Sequence, residues 1–157
     1  MTDRAKEALF HSIGEDLEDA DVLDLYAGSG SLGIEALSRG AASAVFVEKA
    51  GPALIAIRDN LAATRLSGQV VATDVAIFLQ RNAGPFDVIF LDPPFPMATE
   101  DLEPLVWLAT EKLAPGGLMV VTRRSKDPLP RPRGGLRLAW DRKYGDTRIG
   151  RYVKDQL

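Results

Sequence analysis

Apolar and polar positions along this chain alternate between two rhythms. Short runs rich in Val, Ile, Leu and Phe end in an acid or a glycine. Longer segments with apolar residues every three or four positions follow them. Read in order, the pattern predicts a helix over Thr2 to Gly14, an acidic linker over Glu15 to Asp21, and a strand over Val22 to Tyr26. A helix over Leu32 to Leu37 follows, then a strand from Ser43 to Val47 and a helix from Pro52 to Arg65. The rhythm repeats as a strand over Gln69 to Ala72, a helix from Asp74 through Leu79, a strand over Phe86 to Leu91 and a helix from Thr99 to Leu113. Pro115-Gly116-Gly117 stops that helix before a strand over Leu118 to Thr122. Strands alternating with helices predict a parallel, doubly wound α/β sheet with right-handed crossovers. After Arg124 the rhythm changes to two strands, Leu136 to Trp140 and Thr147 to Val153. They predict an antiparallel hairpin at one edge, with Pro128 to Gly135 before it as a mobile loop.

The run Val88-Ile89-Phe90-Leu91 is apolar on both faces, as a central parallel strand is, and leads directly into Asp92-Pro93-Pro94-Phe95. Two prolines cannot continue a strand, so these four residues form a stiff loop at its carboxyl end. In open α/β sheets that edge is where ligands bind.

Length and composition narrow the field. The 157 residues, 46% hydrophobic and 26% charged, suit one soluble domain over 1–157. With no cysteine the chain lacks thiolate chemistry, and a single histidine, His11, comes close to excluding a Ser-His-Asp triad or a multi-histidine metal site; no metal is expected. No apolar run is long enough to span a bilayer, and the first 21 residues carry seven acids. A cytoplasmic monomer without membrane contact is the expectation. The net charge of −3 conceals a polarity: 8 Lys/Arg against 18 Asp/Glu in residues 1–122, but 11 against 4 in residues 123–157. A folded basic segment of that kind suits a polyanion such as RNA.

Gly28-Ser29-Gly30-Ser31-Leu32-Gly33 fits G-x-G-x-x-G between a strand and a helix, where the backbone can approach a ligand closely. Taken alone it serves a nicotinamide nucleotide equally well. Three acids tilt the choice: Asp24 within the first strand, Glu48 ending the second, and Asp74 ending the third. A carboxylate near the turn repels a pyrophosphate and attracts a cationic sulfonium. Glu48 is placed for two ribose hydroxyls and Asp74 for an adenine amino group, a set that suits S-adenosylmethionine. Singly, each acid has a plainer reading: Asp24 orienting the turn, Glu48 pairing with Lys49 or Arg58, Asp74 capping its helix.

An exocyclic amino group is a poor nucleophile because its lone pair is delocalised into the ring. Methylating it calls for acceptors for both of its hydrogens; Asp92 and the Pro93 carbonyl can serve, held ready by Pro93 and Pro94. Phe95 offers a face on which to stack a base, unless it is a core aromatic beside Met97.

On these residues the chain resembles the class I S-adenosylmethionine-dependent amino-methyltransferases: DLYAGSG over Asp24 to Gly30, Glu48, Asp74, and DPPF over Asp92 to Phe95. Thr2-Asp3-Arg4 running into Glu7-Ala8-Leu9-Phe10, the stretch Glu35 to Ala41, and Tyr144-Gly145-Asp146-Thr147 narrow the resemblance to the RsmD family. Those enzymes methylate guanine N2 in small-subunit (16S) ribosomal RNA. The resemblance implies a Rossmann-like, mostly parallel seven-stranded sheet and a target guanine at Asp92 and Phe95. The implied cofactor set is Asp24, Tyr26, Gly28, Ser29, Gly30, Glu48, Lys49, Asp74, Val75 and Asp92, with Thr2 and Arg4 near the methionine end. Family members usually begin with a basic β-hairpin, which does not precede Thr2 here; its absence should weaken RNA binding more than cofactor binding.

For RNA phosphates the candidates are Arg123, Arg124, Lys126, Arg131, Arg133 and Lys143. Trp107 and Trp140 read as core. Three other functions compete. Protein glutamine methylation uses Asn-Pro-Pro-Tyr rather than Asp-Pro-Pro-Phe. DNA amino-methylation is disfavoured by the 61 residues between Gly30 and Asp92, too few for an inserted recognition domain. The third is a non-catalytic RNA- or cofactor-binding module.

Overall fold

The computed structural model describes residues 1–156. Seven strands form one sheet: β1 (Asp21–Leu25), β2 (Ser43–Glu48), β3 (Gln69–Ala72), β4 (Phe86–Leu91), β5 (Leu113–Arg124), β6 (Leu136–Tyr144) and β7 (Thr147–Lys154). Their order is β3-β2-β1-β4-β5-β7-β6. The first five are parallel, and β7 is antiparallel to both β5 and β6. Five helices cover the sheet: α1 (Asp3–Ile13), α2 (Ser31–Ser38), α3 (Gly51–Thr64), α4 (Val75–Phe78) and α5 (Thr99–Glu111).

Side chains of successive strand residues point to opposite faces, and the two cores follow that period. On one face Val22, Phe46, Val88, Phe90 and Val120 pack against α1, α2 and α3. On the other, Leu23, Leu25, Val47, Ile89, Leu91 and Val121 pack against α4 and α5. The doubly wound reading of the sequence therefore holds, and β4, with Val88 to Leu91 fully buried, runs through its centre.

Three expectations change. The acidic linker contains a 3₁₀ turn at Gly14–Leu17, whose Leu17 is buried. Strand β5 starts at Leu113, not Leu118, because the Phe86 N–H already donates to the Lys112 carbonyl (2.8 Å) and Phe86 pairs with Leu113. The loop Pro128 to Gly135 is tied down rather than loose. The buried Tyr152 hydroxyl donates to the Pro130 carbonyl (2.6 Å), Trp107 Nε1 donates to the Arg131 carbonyl (3.1 Å), and the Arg131 N–H donates to Glu103 (2.7 Å).

Candidate active site

The strand order reverses between β1 and β4, and there the connections leave to opposite sides and open a crevice at the carboxyl ends. Leu25 pairs with Leu91, so the glycine turn after β1 and the Asp92 loop after β4 start side by side. A cleft of about 500 Å³ opens at this point, lined by Tyr26, Gly28, Glu48, Lys49, Ala50, Thr73, Asp74, Val75, Asp92, Pro94 and Met97. A larger hollow, about 720 Å³, lies beyond the glycine turn against Ser29, Ser31, Asn60 and Thr64. It contains neither the strand-end acids nor the proline loop, so the smaller cleft is the candidate.

The turn itself is bent through left-handed backbone at Tyr26 (φ 59°), Gly28 (φ 58°) and Gly30 (φ 84°). For a tyrosine that conformation costs on the order of 1–2 kcal/mol, strain of the sort that collects at ligand sites. No feature of the sequence pointed to it. Ser29 faces the larger hollow, and its carbonyl accepts from Asn60 Nδ2 (2.9 Å). Gly30 is buried at the start of α2.

The three acids differ in standing. Asp24 does not line the cleft. It is 1% exposed, on the face of β1 that meets α2, where Oδ2 accepts from the Gly33 N–H (3.0 Å). Its Oδ1 is buried without a protein partner. Desolvation pushes its carboxyl well above the usual range, with the nearby Asp92 and Glu48 adding to the rise and the Gly33 N–H opposing it. The plainer reading, an acid that orients the turn, describes the position found. At Glu48, Oε1 accepts from the Gly28 N–H (2.9 Å) and Oε2 from the Lys49 and Ala50 N–H groups (2.9 Å each). A carboxylate has about four acceptor positions, so with three filled it can hold two ribose hydroxyls only by releasing a backbone donor. Asp74 caps α4 by accepting from the Ala76 N–H (2.8 Å) and pairs with Lys49 (3.0 Å). Those two contacts, the Lys49 bond foremost, hold its carboxyl below the usual range. Beside it the Val75 N–H is the first of α4, a donor no preceding turn can satisfy. Donor and acceptor thus stand together, the pattern an adenine edge requires.

Across the cleft, Asp92 receives a hydrogen bond from the Thr122 hydroxyl. Pro93 is buried, and Pro94 starts a turn closed by the Met97 N–H on its carbonyl (3.1 Å). Phe95 is 56% exposed, so it is not a core aromatic and its ring is free to meet a partner.

Thr2 and Arg4 stand apart from the cleft. Thr2 caps α1 through the Ala5 N–H (3.2 Å), and both residues line a separate hollow with Lys143, Tyr144 and Gly145. Of the basic candidates, Arg123 is not a surface cation. It is 4% exposed and donates to the Met97 carbonyl (2.8 Å) and Thr99 Oγ1 (3.0 Å), because side-chain alternation turns it toward α5. Arg124 is engaged by Asp127 (2.7 Å) and Arg131 by Glu103 (3.2 Å), while Arg133 lies over the Trp107 ring at 3.8 Å. Lys126 and Lys143 are exposed. Among the described residues no group of three or more potential ligands could hold a metal ion, and no helix is long and apolar enough to cross a membrane.

Comparison with known proteins agrees with this architecture. The family described as Conserved hypothetical protein 95 matches residues 1–153. YlbH of Bacillus subtilis is 36% identical over 161 residues, covering 98% of this chain and 86% of YlbH. Ribosomal RNA small subunit methyltransferase D of Escherichia coli is 38% identical over 118 residues, 71% of this chain and 60% of the enzyme. The solved structure of the Escherichia coli protein yhhF superposes with a TM-score of 0.90 at 31% identity, covering 100% of this chain and 88% of that one. The chain belongs to the Conserved hypothetical protein 95 family, that of the RsmD methyltransferases.

Proposed function

We propose that this protein transfers a methyl group from S-adenosylmethionine to the N2 amino group of a guanine in small-subunit ribosomal RNA. Family membership supports ribosomal RNA methylation with this donor. The observation that carries the finer reading is the meeting of the Asp92-Pro93-Pro94-Phe95 loop with the glycine turn in one cleft, with Phe95 exposed. The residues fit the cofactor. Asp74 and the Val75 N–H suit the adenine edge, Glu48 has an acceptor position left for the ribose, and the buried Asp24 Oδ1 lies unpartnered beneath the turn. When bound, S-adenosylmethionine supplies a sulfonium-activated methyl group.

The chain's own part is positioning. Asp92 and the Pro93 carbonyl accept the two amino hydrogens, so the nitrogen lone pair turns toward the donor. The stiff proline pair keeps both acceptors in place before charge develops. Phe95 stacks on the guanine ring. Lys126, Arg133, Lys143 and Arg4 hold the RNA backbone and contribute position rather than sequence.

The test is reaction with undermodified small subunits, followed by mass-spectrometric mapping of methylated nucleosides. N2-methylguanosine is the expected product, and methylated adenine or cytosine would overturn the guanine assignment. Asp92→Ala should lower kcat by roughly 10²–10³-fold, with S-adenosylmethionine affinity within a few-fold of wild type.

A further inference from the structure

Strand β5 outruns β4. Leu91 pairs with Val121, after which β4 ends and β5 continues through Thr122, Arg123 and Arg124, supported on its far side by β7. Two of these extra residues, Thr122 and Arg123, are each 4% exposed, and consecutive strand residues point to opposite faces. The Thr122 hydroxyl donates to Asp92 Oδ1, at the start of the proline loop. The Arg123 guanidinium donates to the Met97 carbonyl (2.8 Å) and to Thr99 Oγ1 (3.0 Å), at its end, with Asp127 3.7 Å away.

We infer that Thr122 and Arg123 are positioning residues that fix both ends of the Asp92–Thr99 loop, and that Thr122 sets the orientation of the Asp92 carboxylate. This rests on the reading of that loop as the amino-group acceptor. A carboxylate rotates freely about its last bond unless one oxygen is held. With Oδ1 held by Thr122, Oδ2 engages no protein donor and keeps one defined direction for an amino hydrogen. Placing both anchors on the rigid end of a central strand gives the loop a reference that does not move with solvent. Arg123 supplies the complementary hold. Its Nη2 donates to both acceptors on the far limb of the loop, one bond beyond the reach of a lysine ammonium.

Thr122→Val keeps the shape and deletes the donor; Thr122→Ser restores a hydroxyl. Under saturating S-adenosylmethionine, Thr122→Val should lower kcat roughly ten- to hundredfold, as loss of a hydrogen bond to a charged group does. Its S-adenosylmethionine dissociation constant should stay within about two-fold, and Thr122→Ser should recover most of the rate. Arg123→Lys should speed amide exchange at Phe95, Met97, Ala98 and Thr99 while amides in β1 and β4 keep their protection. Wild-type kcat in Thr122→Val, alongside a dead Asp92→Ala, overturns this inference and leaves the loop reading standing. Wild-type kcat in both overturns the two together. A loss in Thr122→Val that serine does not recover, or that tracks cofactor affinity, shows a structural role and also defeats it, as does unchanged exchange in Arg123→Lys.

Discussion

Asp24 carries the chemical surprise at the scale of single residues. Its spacing from Gly28 was plain in the chain, but alternation along β1 turns it inward, between Leu23 and Leu25 that face the other layer. A buried carboxyl that resists ionisation binds its proton more tightly folded than unfolded, so stability falls as pH rises from the ordinary value near 3.8 toward the folded one. Asp24→Asn keeps an acceptor for the Gly33 N–H and removes that loss. The unliganded variant should therefore have the higher urea midpoint at pH 7, with the advantage vanishing near pH 3, in a series of urea titrations across that range. The same substitution should weaken S-adenosylmethionine binding. Asp92 to Phe95 and the glycine pattern were legible because prolines and glycines restrict the backbone wherever they stand. Tyr26 in left-handed backbone was not legible, since the strain is imposed by the turn around it.

At the scale of elements, hydrophobic rhythm located all seven strands, yet the loop before β6 was misread. Prolines and glycines in Pro128 to Gly135 suggested mobility, whereas its anchors come from α5 and β7, distant in sequence and invisible to any local pattern. The consequence is measurable. Tyr152→Phe leaves the Pro130 carbonyl without its donor and should cost about 1–2 kcal/mol in urea unfolding. Trypsin should then cut after Arg133 faster than in wild type, under native conditions. Arg123 was misassigned for a related reason: a cation following a strand looks solvated until the length of the neighbouring strand is known.

For the whole molecule, the charge polarity between the front and back of the chain survives folding only in part. Arg124, Arg131 and Arg148 are held by Asp127, Glu103 and Asp141. The counts of basic residues therefore overstated the surface available to a polyanion. If Lys143 contacts a phosphate, Lys143→Ala should weaken RNA binding and reduce the slope of log affinity against log salt by about 0.7–0.9. Arg124→Ala should change the slope less, because its charge is already compensated, and neither should alter S-adenosylmethionine affinity. Titrations at several salt concentrations distinguish the two. Strand alternation announced the parallel sheet, and the hairpin was visible in the turn at Gly145-Asp146. That β7 rather than β6 joins β5 was not, because both hairpin strands carry similar apolar content.

That insertion has a bearing on biosynthesis. β5 is buried along Met119 to Val121, and its open backbone edge is covered only by β7, which is made after β6. Until then, a growing chain carries an unpaired apolar edge that invites pairing with a neighbour. The strand made after β6 is thus also the one that protects the nascent protein from its own copies.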